Sequence, residues 1–304
     1  MEEMKNQESG RTVFKGLSLD EERALYGISN ADVVDCRFDG PADGESALKE
    51  ASLVNVSGCF MNLRYPFWHL SGSKIADCIL TEKCRAALWY DKDVEIEGCR
   101  LGGIKALREC DGISIKKCTV DSPEFAWKCR DVVVDDVEIL GSEYPFFEIE
   151  RARMSNLRMK GKYSFQYCRD IEISSSDLDT KDAFWHSKNV TVRDSVVRGE
   201  YLGWYSENLR LVNCRIIGTQ PFCYCKNLVL ENCTMEGCDL SFERSSVVAD
   251  VSGRIDSVKN PLSGSIRADE IGGLILEKGV VGLSPAEISC PSISSVTSDI
   301  PEAC

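Results

Sequence analysis

The chain has 304 residues, 43% of them hydrophobic, and its 49 acidic residues outnumber its 36 basic residues to give a net charge of −13. This charge argues against nucleic acid as a partner, because binding to a phosphate backbone requires a basic surface. The sequence also contains no continuous apolar run long enough to form a membrane-spanning helix, so no membrane partner is expected.

The segment before residue 31 is predicted to precede the main body of the fold. Residues 1–12 are polar and are expected to form a flexible N-terminus. They lack the apolar stretch of a secretory signal, which predicts a cytoplasmic protein. The stretch from Ser18 to Glu21 matches a capping box, and Gly27 is a typical stop signal, so a short capping helix is predicted over about residues 19–26. Such a helix would cover an open strand edge.

From about residue 31 to residue 275, the sequence repeats with a period of about 19 residues. Four clear copies are VEIEGCRL (94–101), ISIKKCTV (113–120), LRLVNCRI (209–216) and LVLENCTM (228–235). Each copy has apolar residues at its first, third and eighth positions and a cysteine at its sixth. A period of this length indicates a solenoid. The repeats start at Ala31, Val54, Ser73, Val94, Ile113, Val132, Ala152, Ile171, Val190, Leu209, Leu228, Val247 and Ile266.

The spacing within each repeat favours strands. Alternating apolar residues indicate a strand with one buried face, and three short strands in each repeat leave no room for a helix. Strands that recur in one direction form parallel sheets, and their crossovers are right-handed. We therefore predict an all-β fold, a single-stranded right-handed parallel β-helix of about 12–13 coils. It would form a single domain over residues 13–283, with residues 284–304 as a C-terminal tail or cap.

Sixteen cysteines follow the repeat. Seven of them occupy its sixth position, where other repeats have small or apolar residues. This pattern predicts reduced, buried thiols that act as small hydrophobic side chains, and no metal or cofactor is expected. An Asn or Asp precedes many repeat starts and is expected to take a left-handed conformation and to form a stacked polar ladder. These residues are Asp93, Asp131, Asp170, Asn189, Asn208 and Asn227.

Two columns of residues precede the repeat starts, and they carry the unusual side chains. All five tryptophans lie in one column, which we call the tryptophan column, and both histidines lie in the next, the outer column. The outer column has no aliphatic residue, and unpaired charges are costly to bury, so it is predicted to face solvent. The tryptophan column either stacks half-buried inside the coil or lines the edge of a groove. The outer column consists of Glu50, His69, Tyr90, Glu109, Lys128, Glu148, Tyr167, His186, Tyr205, Tyr224 and Glu243.

The outer column has two interpretations. It is either a stabilising aromatic stack or a saccharide-binding face, in which Tyr and Trp rings stack on sugars and carboxylates bind hydroxyls. Glu109 and Glu148 would lie roughly 9.6 Å apart, by strand spacing, which is compatible with an inverting glycosidase. A lyase would instead use Lys128 with a nearby arginine or histidine. The candidate catalytic residues are Glu109, Glu148, Lys128 and His186; the candidate substrate-binding residues are Glu50, His69, Tyr90, Tyr167, Tyr205, Trp127, Trp185 and Arg108.

The segments that hold these columns resemble a known family. ESALKE (45–50), RYPFWH (64–69), RAALWY (85–90), KALRE (105–109) and SPEFAW (122–127) are similar to an uncharacterised bacterial family, domain-of-unknown-function family 3737. Over residues 30–275 the chain also resembles the pectin-lyase-like superfamily of right-handed β-helices. The resemblance implies the fold. It does not carry over the chemistry of pectate lyases or polygalacturonases, because the paired aspartates and calcium-binding aspartate cluster of those enzymes have no match in this sequence.

Two functions therefore remain open. The first is a carbohydrate-active enzyme, a hydrolase or a lyase, that acts on an oligosaccharide or polysaccharide along the outer column. The second is a non-catalytic β-helix scaffold that binds a glycan or a protein through the same face. The sequence contains no pattern that indicates an oligomeric state.

Overall fold

The computed structural model describes residues 4–5, 10–40, 46–282 and 285–299. The chain folds as an all-β, right-handed parallel β-solenoid of about 15 turns with about 19 residues per turn, which confirms the predicted fold class. It divides into two compact units, Met1–Arg153 and Met154–Cys304. Within the described residues, no helix is long and apolar enough to cross a membrane.

The first unit contains two principal parallel ladders and a short third one. The first ladder pairs β2, β3, β5, β7, β10, β13 and β15 in that order, the second pairs β4, β6, β8, β11, β14 and β16, and the third pairs β9 with β12. The strands are β1 (Met4–Lys5), β2 (Thr12–Lys15), β3 (Ala31–Val34), β4 (Arg37–Phe38), β5 (Asn55–Ser57), β6 (Phe60–Met61), β7 (Ser71–Ala76), β8 (Ile79–Leu80), β9 (Leu88–Trp89), β10 (Lys92–Glu97), β11 (Arg100–Gly102), β12 (Leu107–Arg108), β13 (Asp111–Lys116), β14 (Thr119–Asp121), β15 (Arg130–Asp135) and β16 (Glu138–Ser142), with a 3₁₀ turn at Glu82–Cys84.

The second unit follows the same plan, and β17 (Glu150–Ser155) spans the boundary between the units. One ladder pairs β19, β21, β23, β25, β26, β28 and β30, a second pairs β18, β20, β22, β24 and β25, and a third pairs β27, β29 and β31. The elements are β18 (Arg158–Lys162), β19 (Arg169–Ser174), β20 (Asp177–Lys181), β21 (Lys188–Arg193), β22 (Val196–Arg198), β23 (Glu207–Val212), β24 (Arg215–Ile217), β25 (Leu228–Glu236), β26 (Ser246–Val251), β27 (Arg254–Lys259), β28 (Ser263–Arg267), β29 (Glu270–Leu276), α1 (Lys278–Val281), β30 (Glu287–Ser289) and β31 (Val296–Ser298).

The register of these ladders explains the repeat. Val94 pairs with Ile113, which pairs with Val132, so equivalent residues stack directly on one another. All three are 1% exposed. Burial of a side chain of this size contributes roughly 1.5–3 kcal/mol, so the stacked apolar positions form a continuous core inside each unit.

The cysteines at the sixth position are buried and free. The Cys99 N–H donates to Cys118 Sγ over 3.3 Å, and the Cys99 thiol donates to the Glu97 carbonyl over 3.2 Å. Burial also raises the pKa of the Cys233 thiol, at the sixth position in the second unit, to about 11. These thiols are therefore small hydrophobic core residues, as predicted.

The predicted polar ladder is confirmed in the second unit, whereas in the first unit Gly112 stands between Asp93 and Asp131 and interrupts it. Asn208 Nδ2 donates to Asn189 Oδ1 over 2.8 Å, and Asn189 Nδ2 donates to Asp170 Oδ1 over 2.7 Å. All three residues have φ between 54° and 58°, the left-handed conformation that Asn and Asp tolerate. A second ladder, which the sequence analysis did not predict, joins Asp194, Asn213 and Asn232.

The predicted capping helix over residues 19–26 is wrong, because this segment forms one side of an additional coil. Arg23 and Leu25 have φ of 59° and 55°, which an α-helix does not allow. The Ala24 carbonyl accepts a hydrogen bond from Leu48 N–H, one coil further along. The coil begins at Thr12, which lies opposite Ala31 in the parallel pairing of β2 with β3.

The ends of the chain carry further strands. β1 pairs antiparallel with β2, whereas most of the predicted flexible N-terminus lies outside the described residues. β30 and β31 continue the parallel ladders through the predicted C-terminal tail, where they pair with β28 and β29.

Candidate functional site

Each coil has three sides, and we call the side before the next repeat start, which carries both columns, the third side. Its backbone is unusual. Residues with positive φ flank a residue of the tryptophan column: Phe184 and His186, with φ of 62° and 56°, flank Trp185. Ten of the eleven predicted outer-column residues have positive φ, a conformation that β-branched residues strongly disfavour. The absence of Val, Ile and Thr from this column therefore has a backbone cause, which the sequence analysis missed. The predicted outer column is wrong at Glu243, whose carbonyl accepts a hydrogen bond from Tyr224 N–H as tryptophan-column residues do; Arg244, with φ of 54°, takes the outer-column position instead.

The outer column faces solvent, as predicted. Tyr167 is 52% exposed and Tyr90 is 41% exposed, and Glu109 and Tyr224 are half-buried. These side chains are therefore available for binding, whatever the cause of the column's composition.

The tryptophans are half-buried in both units. Trp185 Nε1 donates to the Tyr201 carbonyl over 2.6 Å, and Trp204 Nε1 donates to the Gln220 carbonyl over 2.8 Å. Trp68 and Trp127 make the same kind of bond within the first unit. This pattern supports the interpretation of the column as a half-buried structural stack.

In the second unit the outer column is a continuous stack of rings. The ring centroids of Tyr167, His186, Tyr205 and Tyr224 are separated by 5.0, 5.0 and 4.8 Å, and successive ring planes differ by 6–9°. Both faces of His186 and of Tyr205 are therefore covered by neighbouring rings. The expectation that tyrosine faces stack on sugar rings is wrong for Tyr205, which presents only its edge.

In the first unit an arginine takes the place of a tryptophan. The Arg108 guanidinium carbon lies 5.2 Å from the Trp89 ring and 5.1 Å from the Trp127 ring. Arg108 Nε also bonds Glu109 Oε1 over 3.2 Å, and the side chain is 17% exposed. Arg108, a predicted binding residue, therefore completes the stack by cation–π contacts.

A cavity of about 420 Å³ lies beside this stack. We call it the Lys128 cleft. It brings together the predicted residues Tyr90, Glu109 and Lys128, and it adds Lys92 and Asp111, which the sequence analysis missed. The described lining thus combines a phenol, carboxylates and cations. Its residues are Tyr90, Asp91, Lys92, Glu109, Cys110, Asp111, Lys128 and Arg130.

Asp91, in the lining of this cleft, has a buried carboxyl group. Its side chain is fully buried, and Oδ1 accepts a hydrogen bond from Leu70 N–H over 2.9 Å. Oδ2 has no hydrogen-bond partner among the described residues. Burial raises the pKa of Asp91 well above its usual value, because the charged form is poorly solvated there. The burial of Asp91 could have been predicted from the sequence, since Leu70 and Cys110 occupy the same inward position in the neighbouring coils.

The other predicted site residues lie outside the described lining of the cleft. Lys128 Nζ and Glu148 Oε2 are 3.6 Å apart, so Glu148 pairs with the cleft lysine from the next coil. The His69 ring lies 5.3 Å from the Tyr90 ring. Glu50 is exposed elsewhere in the first unit, whereas Tyr167, Trp185, His186 and Tyr205 belong to the second unit.

The charges of the cleft are mixed, with Lys92, Lys128 and Arg130 beside Glu109 and Asp111. Within the described ranges, no group of three or more His, Cys, Asp or Glu side chains is arranged to hold a metal ion. The fold and the cleft together define a β-helix protein with a polar, mixed-charge cavity on the third side of its coils.

The chain belongs to the family described as "Protein of unknown function (DUF3737)", whose model matches residues 12–289. This match confirms the resemblance stated from the sequence. A comparison with proteins of curated function finds no match.

Several solved structures are similar at low identity. A double mutant of the periplasmic alginate epimerase AlgG is 9% identical, with 89% of this chain and 69% of that chain covered and a TM-score of 0.35. A tailspike protein mutant of E. coli bacteriophage HK620, in complex with hexasaccharide, is 7% identical, with 93% and 70% covered and a TM-score of 0.38. A family 28 exopolygalacturonase of Yersinia enterocolitica is 8% identical, with 98% and 74% covered and a TM-score of 0.35.

Proposed function

We propose that the protein is a carbohydrate-active enzyme that binds an oligosaccharide in the Lys128 cleft. The observation that carries this proposal is the composition of the cleft, in which carboxylates, cations and the Tyr90 phenol meet in a cavity of about 420 Å³. This volume is in the range of small-ligand sites. Carboxylates accept hydrogen bonds from sugar hydroxyls, and Lys, Arg and Tyr donate hydrogen bonds to sugar oxygens.

Hydrolysis is the reaction that this set of residues suits best. Glu109 and Asp111 both line the cleft and are two residues apart, roughly 6–7 Å at the Cα atoms by strand rise. Glycoside hydrolysis uses a pair of carboxyl groups, one as the acid and one as the base or nucleophile. Lys128 and Arg130 would stabilise negative charge that develops on the leaving oxygen. In this scheme Glu148 orients Lys128 and does not itself react.

A second candidate is non-catalytic glycan binding. Glu109 is paired with Arg108 at 3.2 Å, and Lys128 is paired with Glu148 at 3.6 Å. Side chains that are held by such pairs suit recognition of a fixed pattern of hydroxyls, because little ordering accompanies binding. Product analysis separates this candidate from the enzyme.

We expect the wild-type protein to bind at least one glycan on an array and to release shorter products from it. Glu109→Gln and Asp111→Asn should each lower turnover at least about a hundredfold, in line with the loss of an acid–base group. The melting temperature should stay nearly constant, because both residues lie in the cleft lining. Turnover is measured by chromatography of the products.

Glu95→Gln is the matched control, because Glu95 is an exposed carboxylate of the first unit outside the cleft lining, and it should leave turnover unchanged. Binding without any product would favour the second candidate. If no glycan binds at millimolar concentration, both candidates are wrong.

A further inference from the structure

We infer that the oligosaccharide lies along the third side of the coils of the first unit, with one end in the Lys128 cleft and the other in a second cleft. This inference rests on the proposed function and adds the length and direction of the ligand. The second cleft has a volume of about 590 Å³, and Gly102 and Gly103 are among its lining residues. We call it the Gly102 cleft.

The walls of the Gly102 cleft indicate a ligand. Ile79 and Ile104 line it, and each is 48% exposed. Large apolar side chains that are exposed in a concave surface typically mark a binding site. Thr81 and Asp121 also line the cleft, so the apolar walls meet polar groups. This combination fits a sugar ring, which has an apolar face and hydroxyl edges.

The cleft arises where a ladder of polar side chains is interrupted. Asn62 Nδ2 donates to Asp39 Oδ1, and the Thr81 hydroxyl donates to Asn62 Oδ1, both over 2.6 Å. The next position in the ladder is Gly102. A Cβ atom there would lie 2.6 Å from the Leu80 carbonyl oxygen, so the protein cannot fill this position with a side chain of its own.

Asp121 follows Gly102 in the same ladder, since the two residues pair in the register of β11 and β14. Two neighbouring ligand hydroxyls placed over Gly102 would each donate one hydrogen bond, one to the Thr81 oxygen, whose own proton is donated to Asn62, and one to the Asp121 carboxylate. Both groups have lone pairs that accept hydrogen bonds. The ligand would thus complete the ladder that the glycine interrupts.

The two clefts belong to the same coils. Ile104 lines the Gly102 cleft and Glu109 lines the Lys128 cleft. These two residues are close in the chain, which limits their Cα distance to about 18 Å. A single sugar is too small to occupy both clefts, so the ligand is an oligomer that runs along the third side of these coils from one cleft to the other.

The structure between the clefts is also irregular. Trp89 Nε1 is buried and has no hydrogen-bond partner in the described part of the chain, unlike the four other tryptophans. The coil that contains Trp89 is longer than the standard repeat and includes the 3₁₀ turn at Glu82–Cys84. Insertions in a solenoid often map to its binding face.

The test uses labelled oligosaccharides, from disaccharides to hexasaccharides, prepared from neutral and acidic polysaccharides, in titrations with three variants. Lys128→Met should weaken binding of every length that the wild type binds. Ile104→Ser should weaken binding of the longest oligomers about tenfold and change binding of the shortest less than about twofold. Ile104 is half exposed, so this variant should fold, which circular dichroism checks. Glu95→Gln, at an exposed carboxylate of the first unit outside the lining of both clefts, is the matched control and should bind every length like the wild type.

The outcomes separate the inference from the proposed function. If Ile104→Ser binds all lengths like the wild type while Lys128→Met does not, the ligand does not reach the Gly102 cleft, and the inference is wrong while the proposed function stands. If Ile104→Ser weakens the binding of short and long oligomers equally, the placement of one end of the ligand in each cleft is also wrong. If the wild type binds none of the oligomers, the proposed function is wrong and the inference with it.

Discussion

Asp91 lacks a hydrogen bond that a serine at the equivalent position of another coil makes. Ser245 occupies the same inward position in a coil of the second unit. Its Oγ accepts a hydrogen bond from Cys225 N–H over 2.8 Å and donates one to the Phe222 carbonyl over 2.7 Å. Asp91 makes the first kind of bond but leaves Oδ2 without a described partner. A buried polar atom without a partner costs free energy, so Asp91 reduces the stability of its unit.

We therefore predict that Asp91→Ser increases the free energy of unfolding at pH 7 by about 1–3 kcal/mol, the usual cost of an unsatisfied buried group. The pH dependence should change as well. Because the pKa of Asp91 is raised in the folded state, the folded protein holds a proton that the unfolded chain releases at a lower pH. Stability is therefore lost as the pH rises from the unfolded pKa of about 4 to the folded value.

Urea titrations of the wild type and the variant from pH 4 to pH 8 measure this effect. The gain from Asp91→Ser should be smallest at pH 4 and grow with pH. Asp121→Ser, at an exposed position, is the control and should show no such trend. A gain that does not depend on pH would contradict an ionisable origin.

The inward direction of Asp91 was predictable from the sequence. The residue after the outer column was predicted to point inward, and Leu70 and Cys110 at this position are buried as expected. The sequence analysis did not predict a carboxyl group at that position with one oxygen unpaired, because the hydrogen bonds depend on which backbone groups the neighbouring coils place there. Lys92 and Asp111 were not predicted as cleft residues for the same reason, since several coils together form the cavity.

At the scale of the element, the backbone conformation of the third side determines where its rings point, as much as the contacts between the side chains do. Tyr205 has φ of 60°, and its ring stacks between His186 and Tyr224. The sequence predicted the two columns but left the orientation of the rings open. The alternation of apolar residues does not reveal left-handed residues on either side of a tryptophan, and these residues decide where each ring points.

We predict that Tyr205→Val destabilises the protein more than Tyr205→Asn does, by about 1–2 kcal/mol, because valine is strained at positive φ, whereas asparagine tolerates this conformation. Both substitutions remove the stacked ring, so the loss of stacking is common to the two variants. Thermal or urea unfolding measures the difference. Equal stability of the two variants, or greater stability of the valine variant, would show that the backbone does not determine the composition of the outer column.

At the scale of the whole molecule, the repeat period predicted the fold class correctly, because it places the inward positions of successive coils in register. The ends of the solenoid were harder to predict. The first coil was missed because polar Thr12 stands at its start and a capping-box pattern follows. Near the C-terminus the period itself changes: Val247 pairs with Gly264 across a coil shorter than the standard repeat, and Ser265 pairs with Glu287 across a longer one.

A deletion tests the period directly. Removal of residues 209–227, one full coil of the second unit, joins Asn208 to Leu228 and restores the original Asn–Leu junction. We expect this variant to fold with the same far-ultraviolet circular dichroism spectrum and somewhat lower stability, because solenoid stability is roughly a sum over neighbouring repeats.

Removal of only residues 209–226 is the matched control. It shifts the following strand by a single position and turns its apolar side chains outward. This control should misfold or aggregate. If both deletions behave alike, the coil is not the unit of the fold.

The stacked indoles of the second unit have an optical consequence. Trp185 and Trp204 have ring centroids 5.4 Å apart and ring planes 7° apart, whereas Trp68 and Trp89 in the first unit meet at 75°. The coupling between two chromophores depends on their distance and on the angle between their transition dipoles. The two pairs should therefore give different exciton signals in the ultraviolet, so that each unit carries its own spectroscopic reporter of coil register without any added label.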